Sequence, residues 1–272
     1  MPREPPPPGP PWDQPLAEAP FAFVDLEMTG LDAAKDRVVE VCVERVVGGQ
    51  VVARVATLLN PGERVGGASQ IHGLDAAALA GAPTFDAVAD DVIRALDGAV
   101  LVAHAAEWDV RFLLAEAVRA NKPLQIAHWL DTLNLSRRAF AFPSHALVAL
   151  CQSLGIPHER AHRADADVAA LRAVFEKCVT VLAPTSARDL WEVKVAQRVA
   201  RAHIIEACVA AAEHGVAVVL TYRPSKRPPE PITMVITEVV MNVDPPRAIG
   251  YQLPGRGRRE LRADRILRVD PA

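Results

Sequence analysis

The chain has 272 residues, half of them hydrophobic and 23% charged, with a formal net charge of −3. This is the balance of a globular protein of one large or two smaller domains; it excludes global disorder, a collagen-like repeat and nucleic-acid binding by bulk positive charge alone, though not a local basic groove. No run approaches the roughly 20 apolar residues of a membrane helix, and prolines stand where a signal peptide would carry its apolar stretch. A cytoplasmic protein with no membrane partner is therefore expected. Its four well-separated cysteines, Cys42, Cys151, Cys178 and Cys208, fit reduced thiols.

Residues 1 to 20 hold nine of the 23 prolines, a composition that predicts a disordered polyproline-like tail. At Phe21 the pattern changes. Phe21 to Leu26 is a short apolar run of buried-strand type, and Arg37 to Val47 and Val51 to Leu59 are β-branched runs joined at Gly48-Gly49. Val88, Val92, Ile93 and Leu96 share one helical face before the stop at Gly98. Val100 to Ala103 reads as the next strand and precedes a helix containing Phe112, Leu113 and Val118.

Ser144 is placed to cap a helix with Leu147, Leu150, Cys151 and Leu154 on one side, ended by Gly155. Leu171, Val174, Phe175, Cys178 and Val179 mark a last helix. Strands alternating with helices indicate a three-layer α/β domain with a mixed sheet. After a break at Pro184, a helical stretch over about 188–214 leads to short strands, Val216 to Tyr222, Ile232 to Val240 and Ala248 to Leu253, with further pieces near 259–269. Their spacing predicts a small β-barrel-like domain. The expected division is 1–20 tail, 21–182 α/β domain, and 183–272 helical linker and β domain.

The chemistry is carried by acids. Asp25 and Glu27 sit two apart in an apolar strand, so both carboxylates emerge on one face. Unpaired charge is costly in such a place, so either arginines or hard cations must compensate; Mg²⁺ and Mn²⁺ prefer oxygen ligands. Asp109 follows at a strand-to-helix junction, and His162-Arg163-Ala164-Asp165-Ala166-Asp167 opens another helix.

Phe23-Val24-Asp25-Leu26-Glu27-Met28-Thr29-Gly30-Leu31 resembles the first motif of the DEDDh, or DnaQ-like, 3′→5′ exonucleases. Leu101 to Asp109 resembles the second motif and His162 to Asp167 the third. Ile71-His72-Gly73-Leu74 and Leu130-Asp131-Thr132-Leu133 are also similar to family segments. The resemblance implies a three-layer RNase H-like exonuclease domain. It implies two Mg²⁺ (or Mn²⁺) ions held by Asp25, Glu27, Asp109 and Asp167, with His162 as general base on the attacking water. Asp167, rather than Asp165, is the acid implied by motif position.

Met28, Thr29, Gly30, Leu31, Ile71, His72 and Trp108 are the implied substrate contacts, Gly30 through close backbone approach and Trp108 through base stacking. The implied partners are 3′ ends of single-stranded DNA or RNA, with a polymerase or repair complex as a further candidate. Ala105 departs from the pattern, since many family members carry asparagine there. That departure keeps alive a second reading, a weakly active or inactive nucleic-acid-binding module.

The C-terminal third resembles WYL-type domains through Val218 to Arg223, Ile249 to Leu253 and Arg262 to Ile266. Six arginines between Arg256 and Arg268 form its most basic stretch, readable as a phosphate-contacting patch or as a solvated hairpin face.

Overall fold

The computed structural model describes residues 4–62, 73–140, 142–224, 229–241, 243 and 246–272, without the side chains of 193–203 and 264. It divides into two compact units, residues 1–140 with 145–191, and 141–144 with 192–272.

In the first unit, β1 (Phe21–Met28), β2 (Val38–Val47) and β3 (Gln50–Leu58) form an antiparallel meander. β4 (Val100–Ala103) and β5 (Trp129–Asp131) add to β1 in parallel, giving the order β3-β2-β1-β4-β5. The helices are α1 (Ala76–Leu79), α2 (Phe85–Leu96), α3 (Glu107–Arg119), α4 (Thr132–Ala139), α5 (Leu147–Leu154) and α6 (Ala164–Leu182). The mixed sheet between helices is the expected three-layer architecture.

Alternation along β1 explains the layers. Ala22, Val24 and Leu26 share one face and enter a core with Val92, Phe112 and Leu113 of α2 and α3. Phe21 and Phe23 point the other way, where both rings lie 5.3 Å from Phe175 of α6. Asp25 and Glu27 follow the phenylalanines on that second face. α5 begins after Ala146 rather than after the expected cap Ser144, and ends as predicted at left-handed Gly155.

The proline-rich segment is docked rather than free. Trp12 is only 5% exposed and meets Trp191 edge to face at 5.8 Å. The Arg188 guanidinium donates to the carbonyls of Pro6 (2.9 Å) and Pro7 (2.7 Å) and pairs with Asp13. One tryptophan supplies apolar area, and one arginine satisfies carbonyls that proline residues cannot pair with one another. This packing carries the first unit beyond residue 182, to Trp191.

α7 (Ala187–His214) runs on into the second unit, a five-stranded antiparallel sheet in the order β10-β6-β7-β8-β9. Its strands are β6 (Ala217–Tyr222), β7 (Glu230–Val240), β8 (Arg247–Gln252), β9 (Gly257–Arg262) and β10 (Ile266–Pro271). All four cysteines are free and buried. Among the described residues no helix is long and apolar enough to cross a membrane.

One ion-pair cluster ties the chain entering β2 to α3. Glu116, 1% exposed, accepts from Arg37 Nε (2.7 Å) and Nη2 (2.9 Å), from the Val38 amide (3.2 Å) and from Arg119 (3.2 Å). Removing that carboxylate leaves a guanidinium and a backbone donor without their acceptor. Glu116→Ala should therefore lower stability by about 2–3 kcal/mol in urea denaturation. An unchanged midpoint would contradict the role given to this cluster.

Candidate active site

Asp25 and Glu27 pair in register with Cys42 and Glu40 of β2, and directly paired residues share a sheet face. That face is covered by α6, which is fixed to β2 at two places. Arg163 reaches Glu40 at 3.0 Å, and Arg172 reaches Glu44 at 2.8 Å. The Ala164 amide also donates to Glu40 Oε2 at 3.2 Å, so a strand carboxylate receives the helix N-terminus. Asp167, one turn further on, is thereby set beside Glu27. A bulge between Glu27 and Met28 ends the regular ladder at this point.

Ligand atoms of Glu27, His162 and Asp167 all lie within 4.8 Å of one another. Asp167 is buried, accepts from the His162 amide at 3.1 Å through Oδ2, and contacts His158 Nε2 through Oδ1. His162 is exposed and has φ of +64°, a left-handed conformation that histidine adopts more readily than most residues but at some cost. Asp165 is turned elsewhere and pairs with Arg160 at 2.9 Å. The short motif thus separates its two aspartates, one to the cluster and one to a surface ion pair.

Asp109 arrives from the first turn of α3, buried, with its carboxylate accepting from the Leu26 amide of β1. The loop before it is held by Asp131, which takes the Ala105 amide (3.0 Å) and caps α4 at Leu133 (2.9 Å). Thr132 lies 3.0 Å from His104 Nδ1 and donates to the Ala103 carbonyl at 3.2 Å. Ala105 has φ of +58°, a region asparagine tolerates better than alanine. In this chain the loop is oriented through its backbone, without a side-chain amide.

The electrostatics bear on the two forms of compensation left open by the sequence. Burial pushes Asp25 well above the usual carboxylate range, and Asp109, Asp167, Glu27 and Glu40 push it in the same direction. Glu27 is raised to about 7 by burial, then by Asp167 and Glu40, against a partial offset from Arg163. Asp109 is raised to about 8, mainly by burial and also by Asp131 and Glu27, while the amides it accepts from act in opposition. Arg163 is committed to Glu40. Among the described residues the carboxylates form a cluster of hard oxygen donors with little cationic compensation, a donor set that fits a hard divalent cation.

The expected substrate contacts divide. Leu31 is 73% exposed and Trp108 40%, with the Arg111 guanidinium 5.9 Å from the Trp108 ring. Met28 is half-buried and packs on the core. Thr29 is buried, accepting from the Arg37 amide at 3.0 Å and donating to Asp36 at 3.2 Å. At Gly30 the close approach is internal: a Cβ there would lie 2.4 Å from the Asp36 carboxylate. Ile71 and His72 lie outside the described residues. The sequence reading missed Glu40, His158 and Asp131 as supports. Glu40 and Asp131 were legible as acids at strand positions, whereas His158 carried no spacing signal.

The RNase_T family model, described as exonuclease, matches residues 22–175, and the chain belongs to that family. It is 31% identical over 158 residues to the 3′-5′ exonuclease DinG of Bacillus subtilis, covering 57% of this chain and 17% of that protein. It is 28% identical over 174 residues to the DNA polymerase III subunit epsilon of Aquifex aeolicus, covering 61% of this chain and 84% of the relative. Escherichia coli exonuclease I, solved with a dT13 oligonucleotide, shares the fold with a TM-score of 0.53 and 14% identity, over 94% of this chain and 66% of that one. The family match ends at residue 175, so the WYL-type likeness of the C-terminal third stays an expectation.

Asp25, Glu27 and Asp109 have higher pKa values folded than unfolded, so the folded chain binds more protons between about pH 4 and about pH 8. Stability from these groups is complete below the ordinary carboxylate range and is lost as pH rises through about 7 to 8. Without divalent cations, Tm should fall between about pH 5.5 and about pH 8.5, and Asp109→Asn should flatten the fall. A slope identical in parent and variant would show that Asp109 is not raised.

Proposed function

We propose that the chain is a divalent-metal-dependent 3′→5′ exonuclease. It hydrolyses phosphodiester bonds from the 3′ end of single-stranded nucleic acid, DNA in preference to RNA, and releases nucleoside monophosphates. The observation that carries this reading is the buried, under-compensated carboxylate set, with Glu27, Asp167 and His162 gathered within 4.8 Å. Family membership supports the reaction class.

Asp25, Glu27, Asp109 and Asp167 would hold two Mg²⁺ or Mn²⁺ ions. Such ions, when bound, activate water and offset charge on the phosphoryl oxygens. The chain's own residues do the rest. His162 takes the proton of the attacking water on its ring, as an imidazole nitrogen placed within reach of the cluster can. Its amide and His158 hold the two oxygens of Asp167, so that carboxylate has one orientation. Leu31 and Trp108 offer exposed apolar surface beside the first and second motifs for the terminal nucleotides. The name of the Aquifex relative suggests a polymerase as partner, and a repair complex is the other candidate.

The test is a 5′-labelled single-stranded DNA and its RNA counterpart, incubated with Mg²⁺ or Mn²⁺. The parent should yield a ladder shortening from the 3′ end, faster on DNA. His162→Ala should slow it by about 10²–10⁴-fold, and Asp25→Ala should abolish it while leaving the fold intact. A band shift with no shortening would instead favour the binding module.

A further inference from the structure

The sheet of the second unit sorts the arginines of the basic stretch. One face packs on α7, where Cys208 and Ala211 meet Leu220, Met234 and Leu261. Alternation along β9 turns Arg258, Glu260 and Arg262 away from Leu261. Their cross-strand partners on β8 are Tyr251, Ile249 and Arg247, which share that outer face. Tyr251 is 47% exposed and stands opposite Arg258.

Charge on this hairpin is one-sided. From Arg247 to Arg262 there are five arginines and a single acid, Glu260, in a chain whose net charge is −3. Arg247 stands directly opposite Arg262, a like-charge pair that weakens a ladder. Glu260 takes up only part of this charge, accepting from Arg247 Nη1 at 2.8 Å. Arg256 sits exposed at the turn, in a left-handed conformation. Arg268, by contrast, lies on β10 at the far edge and is paired with Asp270 at 2.6 Å.

Arginines on an edge strand also deter pairing with stray strands. That explains charge along β9 but neither the exposed tyrosine nor the arginine on β8, one strand in. An exposed aromatic ring set opposite a guanidinium on an open sheet face suits a single-stranded polyanion that has stackable bases.

We propose that the outer face of β8 and β9 is a second nucleic-acid-binding site. Arg247, Arg256 and Arg258 take the sugar–phosphate backbone of a single strand, and Tyr251 stacks one of its bases. The proposal rests on the exonuclease reading only for the identity of the polymer as substrate; the binding itself needs no catalysis.

The test uses the full chain in EDTA and a fluorescein-labelled oligothymidylate of about 30 nucleotides, read by anisotropy across a salt series. Tyr251→Ala should weaken binding roughly tenfold. The Arg256→Glu/Arg258→Glu double variant should lower the slope of log K against log salt by about 1.4, since each single-strand phosphate contact contributes about 0.7. Arg268→Glu, a charge reversal away from this face, is the control and should leave the affinity within about twofold and the slope unchanged. Unchanged affinity and slope in the first two variants would overturn the proposal, as would an equal loss in the control. Nucleotide release from a trinucleotide with Mg²⁺ separates the two readings. The variants should leave it unchanged, and a parent that releases nothing would sink the exonuclease reading while the EDTA measurement still decides this one.

Discussion

The structure of the first unit depends on the crowding of like charges on one face of β1 and β2. Asp25, Glu27, Glu40 and Glu44 all emerge there, from strands whose other residues are almost wholly apolar. The fold divides them into two groups. Glu40 and Glu44 are compensated by Arg163 and Arg172, which fasten α6 to the sheet. Among the described residues Asp25 and Glu27 have no such ion pair, and burial with neighbouring acids raises the cost of ionising Asp25, Glu27 and Asp109. Structural ion pairs therefore stand next to the acids proposed to hold metal and fix the helix that delivers the fourth.

The same logic operates on the side of α3. Glu116 clamps Arg37 and Arg119, while Asp131 secures the loop ahead of Asp109. Both are acids acting through amides and guanidinium groups to hold the backbone on which the site is built. The strain at Ala105 falls in the loop held by Asp131, and that at His162 in the loop before α6, where its amide donates to Asp167; such hydrogen bonds can sustain a left-handed residue. Fixed carboxylates and pre-set loops suit chemistry in which positioned charge does most of the catalytic work.

Much of this was legible in the sequence because it depends on local periodicity. The i, i+2 spacing of Asp25 and Glu27 fixed their shared face, and the β-branched runs around Gly48-Gly49 gave the hairpin. Asp109 and Asp167 were readable from motif resemblance. What was hidden depends on partners far apart in the chain: Glu40 and Glu44 were charged interruptions in a valine-rich strand until Arg163 and Arg172 could be placed beside them. The proline-rich segment misled because composition describes the backbone's preference, whereas Trp12 and Arg188 supply a tertiary anchor. β5 and α4 escaped notice because three strand residues and eight helical ones carry little period. At Gly30 the missing side chain makes room not for substrate but for Asp36, a partner six residues on that a motif does not reveal.

The central claim of the proposed function is that a divalent cation binding the carboxylate cluster displaces protons held by Glu27 and Asp109. Calorimetric titration of the chain with Mg²⁺ or Mn²⁺ at about pH 7, in two buffers of different ionisation enthalpy, measures that exchange directly. With Glu27 raised to about 7 and Asp109 to about 8, binding should release about one proton or more per chain. Asp109→Asn should reduce the release. Binding with no proton release, or no binding at all, would contradict the account.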